Sequence, residues 1–239
     1  MDIAVRKAII LTARVHPGET GGSWMMQGAL EFLISDHPEA QWLRNKYVFK
    51  LVPMLNPDGV VMGNTRCSLS GKDLNRCWGV PSSRMHPEIY HTKQMIRITL
   101  ESREIEMYCD LHSHSRKTNA FFYGCSVGTN NENNWLKERI IPFLLSNRSD
   151  AICYSDCSFV IHKGRETCGR VVVRKEFNVI NSYTLEASFL GSSLGVKRDC
   201  HFTPNSLKAI GSDFMLTMKD FNEKFIFDRT LSELQSVHG

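Results

Sequence analysis

Long apolar runs are missing from this sequence. Its uninterrupted apolar stretches are short, as in Ala8-Ile9-Ile10-Leu11, whereas a bilayer-spanning helix needs about 20 such residues. A concentrated basic stripe is missing too. The formal net charge is only +4 over 239 residues, with a sequence pI near 8.6, which makes no case for nucleic-acid binding and is merely compatible with an acidic partner. The first thirty residues contain neither the apolar core nor the small-residue cleavage site of a secretory signal, so a cytoplasmic, membrane-free protein is expected. No two of the eight cysteines have CxxC spacing. Cys153 and Cys157 come nearest and have no second pair with which to complete a zinc site. Scattered singly in so long a chain, the cysteines read as reduced thiols in a reducing compartment. Repeats, low-complexity tracts and linkers are also lacking, so residues 1–239 are expected to form one domain.

What is present is an ordinary globular composition, 42% hydrophobic and 23% charged. The β-rich run at residues 7–13 predicts a strand buried on both faces. Ser23 is a candidate N-cap for a helix to residue 35. A second strand is predicted over 47–54, stopped by the turn signal Asn56-Pro57-Asp58-Gly59. Residues 62–85 show no period and read as a long structured loop, a feature usually kept for function. Helices follow at 86–101, 134–145 and 207–221, the last closing the chain, and strands at 106–111, 120–124, 159–162, 170–173 and 182–187. Strands alternating with helices imply an α/β fold with a mixed, mainly parallel twisted sheet and helices on both faces.

Several polar residues fall where such a sheet places ligands, beyond the carboxyl ends of its strands. His16-Pro17-Gly18-Glu19 follows the first strand, and its His and Glu can face one point. Zinc takes imidazole nitrogen and carboxylate oxygen, and a catalytic site combines three protein ligands with an open position. Alone, the pair is a weak signal and reads more simply as a surface loop with a turn proline. Asp110-Leu111-His112-Ser113-His114-Ser115 lies at another strand end and offers His112 as a third ligand. Glu186, in Tyr183-Thr184-Leu185-Glu186, ends a mostly apolar strand, where partial desolvation raises a carboxyl towards the working range of a general base. Taken singly, it reads more simply as a glutamate exposed where the strand leaves the sheet. In the long loop, Gly63-Asn64-Thr65-Arg66 and Asp73-Leu74-Asn75-Arg76 supply arginines able to grip a carboxylate or a developing oxyanion.

In this order, the strings HPGE, NPDG, GNTR, DLNR, DLHSHS and SYTLEASF resemble the cytosolic carboxypeptidase subfamily of the zinc metallocarboxypeptidases, over nearly the whole chain from residue 9 to residue 214. The resemblance implies one zinc ion held by His16, Glu19 and His112, with Glu186 as the base and Arg66 at the scissile carbonyl. It implies Asn75 and Arg76 as the clamp on the substrate's terminal carboxylate. It aligns Arg170, in Gly169-Arg170-Val171, with a basic residue that would receive an acidic side chain. The implied substrate is glutamate at protein C-termini or in polyglutamate side chains, above all on tubulin, in the cytoplasm or at microtubules, centrioles or cilia. Ser113 stands where the subfamily usually has glycine. The subfamily also has further strands and a β-rich domain ahead of HPGE, so an apparently N-terminally truncated domain with an exposed sheet edge is expected. Two other readings stand beside this one: a zinc amidohydrolase acting on small acylated amino acids, and a catalytically inactive zinc- or tubulin-binding fragment.

Overall fold

The computed structural model describes residues 5–126 and 132–238. Five strands form one sheet: β1 (Lys7–Ala13), β2 (Tyr47–Val52), β3 (Ile105–His114), β4 (Ala120–Tyr123) and β5 (Asn181–Ser188), in the order β2-β1-β3-β5-β4. All pairs are parallel except β4 with β5, which is the mixed, mainly parallel α/β sheet expected. Eight α-helices accompany them among the described residues: α1 (Thr20–Ile34), α2 (Pro38–Lys46), α3 (Pro57–Val61), α4 (Pro87–Ser102), α5 (Glu132–Arg148), α6 (Gly169–Phe177), α7 (Pro204–Asn222) and α8 (Lys224–His238).

Strand alternation divides the core in two. Ile9, Leu11 and Ala13 of β1, with Met107, Cys109 and Leu111 of β3, pack against Met25, Met26 and Ala29 of α1 and Phe214 and Met215 of α7. Ala8 and Ile10 of β1 and Tyr108 of β3 point the other way, towards Ile89 and Ile96 of α4 and Val172 and Val173 of α6. Further along that second face, towards the strand carboxyl ends, the inward residues become polar: Asp110, His112, Thr184 and Glu186. A candidate site therefore has a wall there. β2 stands at one edge of the sheet, and its residues after Tyr47 are half-buried.

Several local expectations are corrected. The Arg170-Val171-Val172-Val173 run is the start of helix α6, not a strand. β-branched side chains favour strands mainly because they pack well on a half-buried surface. Here Arg170 to Arg174 are all buried, and packing on every side overrides that preference. Helix α1 begins at Thr20 rather than after Ser23, because Gly21 and Gly22 let the helix run close against Ser113 Oγ and the Leu111 carbonyl. The Asn56-Pro57-Asp58-Gly59 signal starts helix α3 instead of a simple turn: Asn56 Oδ1 accepts from Gly59 N at 3.0 Å, and Pro57 occupies the first turn. Residues 159–162 form no strand; the chain is held beside β4 through a bridge from Tyr123 to Ser158 and a hydrogen bond from Ser126 N to the Phe159 carbonyl. Helix α2, mostly polar, escapes apolar periodicity and is signalled by Pro38 and Glu39 in its first turn. Helix α7 does not close the chain, since α8 follows and seats Leu234 against Leu136, Ile140 and Leu144 of α5. None of the eight cysteines is in a disulfide.

Helices α1 and α7 touch backbone to backbone. A Cβ on Gly28 would lie 2.0 Å from the Lys208 carbonyl oxygen, and one on Gly211 would lie 1.9 Å from that of Met25. Glycine is required at both positions. Gly211→Ala is therefore expected to lower stability by about 2–3 kcal/mol, read by urea denaturation. A change below about 0.5 kcal/mol would show that the helices separate without penalty.

Candidate active site and metal centre

β1 ends in a sharp change of direction. Arg14 adopts φ 60°, a conformation that costs a non-glycine residue about 1–2 kcal/mol. Its own side chain holds the bend: Nε donates to the Pro17 carbonyl at 2.7 Å and Nη1 to Ser23 Oγ at 2.8 Å. The bend delivers His16 and Glu19 to the end of the sheet, beside β3. Because β1 and β3 are neighbours, His112 arrives at the same place. His16, Glu19 and His112 offer ligand atoms that all lie within 4.8 Å of one another.

The contacts behind these ligands decide what the cluster can hold. His16 Nε2 donates to Asp73 Oδ1 at 3.0 Å, and His112 Nε2 donates to Asp110 Oδ2 at 2.7 Å. Each imidazole thus turns Nδ1 towards Glu19: His16 Nδ1 is 2.8 Å from Oε1 and His112 Nδ1 is 2.9 Å from Oε2. His16 Nδ1 is nevertheless buried without a hydrogen-bond partner of acceptable geometry. A lone pair aimed at a carboxylate oxygen is repulsive unless a cation joins them. Two nitrogens and a carboxylate, each backed by a hydrogen bond, fit zinc. Ser113 N steadies Glu19 Oε2 at 3.0 Å. The Ser113 side chain is accommodated because Gly21 opposite has no Cβ; one there would lie 2.5 Å from Ser113 Oγ.

The electrostatics agree. Burial disfavours charge on Glu19, but the close contacts and attraction of His112 and His16 outweigh it and hold the carboxyl far below its usual range. Burial likewise disfavours charge on His112, and the contacts with Asp110 and Glu19 overcome it and raise its pKa. The cluster attracts positive charge, whether protons or a metal.

Glu186 pairs in register with His112 across β3 and β5. Its Oε2 is enclosed and has no partner. Burial pushes its carboxyl up to about 7, against the pull of His112 and with Glu19 adding to the rise. A carboxyl at that value exchanges a proton near neutral pH.

Glu186 and the three ligand residues line one cavity of about 700 Å³, together with Arg66, Asn75, Arg76 and Arg170. Every site residue expected from the sequence is brought to this cavity. Arg66 Nη2 lies 2.7 Å from Asp73 Oδ2 and keeps nearly half its side-chain surface open. Asn75 Oδ1 accepts from Gly169 N at 2.9 Å, which leaves the amide nitrogen as its free donor. Arg76 Nη1 donates to the Asn75 carbonyl at 3.0 Å. Arg170 is buried on α6, not on a strand edge; Nε donates to the Gly124 carbonyl at 3.3 Å and Nη1 approaches Cys168 Sγ at 3.4 Å.

Two residues that the sequence reading passed over hold this assembly together. Asp73 bonds His16 through one oxygen and Arg66 through the other, and its Oδ1 also accepts from Asn75 N at 2.9 Å. Asp110, buried at 1% exposure, supports His112 and accepts from Thr12 Oγ1 at 2.7 Å. Both stand inside motifs already singled out, DLNR and DLHSHS. The available signal was a carboxylate two or three positions from another polar site residue.

A sheet that gathers a His, Glu, His cluster, an enclosed glutamate and a set of arginines at its carboxyl ends defines a zinc-hydrolase type of site. The chain belongs to the zinc carboxypeptidase family, which matches residues 2–141. Among curated proteins it is 50% identical over 239 residues to cytosolic carboxypeptidase 2 of Mus musculus and 47% identical to that of Macaca fascicularis. Those alignments cover 99% of this chain and 27% and 28% of the two relatives, so the chain spans little more than a quarter of their length. A metallo-carboxypeptidase from Burkholderia cenocepacia superposes with a TM-score of 0.81 at 23% identity, covering 92% of this chain and 58% of that one, and so shares the fold. No described helix is long and apolar enough to cross a membrane.

Removing the support behind one ligand tests the centre. Asp110→Asn should weaken zinc binding by about 10–100-fold, measured by competition with a chelator, while the circular dichroism spectrum stays unchanged. Unaltered affinity would show that Asp110 does not support His112.

Proposed function

We propose that this chain is the catalytic region of a zinc-dependent carboxypeptidase that removes glutamate from the ends of acidic protein tails or from glutamate side chains. The observation that carries the acidic preference is Arg170. It is 6% exposed, it makes no ion pair among the described residues, and it lines the same cavity as Glu186 and the three ligand residues. Burying a guanidinium without a counter-charge is costly, and a ligand that brings a carboxylate recovers that cost. An apolar side chain in its place would leave the cation unpaired. The wider cavity lining supports this reading, with Arg66, Arg76, Arg116, Lys163, Arg165 and Arg170 set against only Glu19 and Glu186.

The roles follow from chemistry and position. His16, Glu19 and His112 would hold the zinc ion, which when bound acidifies a water molecule and polarises a carbonyl. Asn75, through its free amide N–H, and Arg76, through its guanidinium, would fix the substrate's terminal carboxylate, which makes the cut an exopeptidase cut. Arg66 would stabilise negative charge developing on the scissile carbonyl oxygen. Glu186 would take a proton from the attacking water and hand it to the departing amine. The subfamily resemblance extends the reading to glutamylated tubulin in the cytoplasm and at microtubules.

The zinc-loaded chain should release free glutamate from a peptide ending in several glutamates. Glu186→Gln should lower that rate by at least about 100-fold while zinc, measured by elemental analysis, stays near one per chain. A folded chain that binds zinc and releases nothing would instead support a binding role. Arg170→Met should reduce the preference for a glutamate-ending over a leucine-ending peptide by about 100-fold; an unchanged preference would remove Arg170 from the specificity pocket.

A further inference from the structure

Arg170 can select an acidic side chain only if its guanidinium stays in place when the pocket is empty. A long flexible side chain without a carboxylate partner does not do this by itself, since it loses rotamer freedom on ordering. Something on the pocket wall must restrain it. The contacts from Nε and Nη1 go to the Gly124 carbonyl and to Cys168 Sγ, at 3.3 and 3.4 Å. The first is long for a hydrogen bond and the second is to a weak acceptor.

The stronger restraint is a ring. Tyr123 ends β4, paired antiparallel with Thr184 of β5 and bridged on its other side to Ser158. Its ring centroid lies 5.3 Å from the Arg170 guanidinium carbon, and it packs edge-on to Phe121 at 5.4 Å. Strand pairing on both sides and the Phe121 contact hold the ring, so the ring can hold the cation. Gly124, next in the chain, supplies the carbonyl that receives Nε; a Cβ there would lie 2.4 Å from the Phe159 ring. The corner of residues 123 and 124 is therefore one unit, an aromatic face and a carbonyl oxygen directed at the same guanidinium. Tyr123 itself lines the cavity. Among the described residues Arg170 Nη2 makes no hydrogen bond or ion pair, which leaves it able to meet a substrate carboxylate.

We infer that Tyr123 is a specificity-determining positioning residue: its ring holds the Arg170 guanidinium against the pocket wall with one edge presented to the acidic side chain of the substrate. A cation held over an aromatic face in a partly desolvated site is a worthwhile interaction, and its value here is pre-organisation. The phenol hydroxyl is not required for this role. The inference rests on the acidic-side-chain reading of Arg170 given above.

The test reads binding and needs no turnover. In the zinc-loaded Glu186→Gln chain, calorimetry measures affinity for two peptides that differ only in ending with glutamate or leucine. Tyr123→Ile, which suits an edge strand, should reduce the glutamate-over-leucine affinity ratio about tenfold, and Tyr123→Phe should leave it within about threefold. In an Arg170→Met background, Tyr123→Ile should cause no further change in the ratio. Should Tyr123→Ile fail to fold, as judged by its melting transition, Tyr123→Leu carries the same comparison. Equal loss of affinity for both peptides, or losses that multiply in the double variant, would overturn the role of Tyr123 while leaving Arg170 in place. A parent chain that binds both peptides equally would overturn the reading of Arg170 and this inference with it.

Discussion

Two buried imidazoles aimed at one carboxylate form the constraint on which the site depends. His16 and His112 both turn Nδ1 to Glu19 because Asp73 and Asp110 occupy the opposite nitrogens. Such an arrangement is tolerable only with positive charge at its centre, and a divalent cation meets that need better than protons alone. Asp73 then extends the constraint outward. By bonding Arg66 and the backbone of Asn75, it ties the position of the ligands to the position of the groups that would meet the substrate. A shift in the long loop would be felt at the metal ligand, and a shift at His16 would be felt at the arginines.

The sheet makes this convergence possible through its alternation. Along β3 and β5, one set of side chains is apolar and packs under α1 and α7, while the other becomes polar towards the carboxyl ends. Where α4 and α6 cover the second face, Ala8, Ile10 and Tyr108 meet isoleucine and valine. Beyond their reach the face opens into the cavity, with Glu186 beside His112 in register. Desolvation by the surrounding protein raises the Glu186 carboxyl, and Arg170, buried in the wall of the same cavity, makes no ion pair among the described residues. One half-buried carboxyl and one buried guanidinium thus line the same cavity with no ion pair between them among the described residues, which keeps both available to a ligand.

Much of the fold was legible because apolar period reports burial. The strands at β1, β3 and β5 and the helices at α1, α4, α5 and α7 all emerged from it, with ends displaced by a few residues. It failed where burial came from all sides or from a few residues only. Val171-Val172-Val173 of α6 is enclosed throughout, so periodicity carries no information and β-branching misleads. Helix α2 and helix α8 are largely polar on the outside and depend on neighbours for their helical form.

The candidate site divides in the same way. His16, Glu19, His112, Glu186, Arg66 and Arg76 stood out in the sequence as candidates by residue type and place, the family resemblance added Asn75 and the roles, and the structure gathers all of them round one cavity. Strand order is not written in such strings. That β1 lies beside β3 and β3 beside β5 follows from how the whole chain packs, and only that order places residues 16, 112 and 186 together. Tertiary structure alone also assigned Asp73 and Asp110 to particular histidine nitrogens, put Arg170 on a helix facing the cavity, and laid the Tyr123 ring over its guanidinium. Local sequence determines which chemistry a residue can perform. The charge, burial and neighbours that decide whether it performs it come from segments distant in the chain, and these meet only on folding.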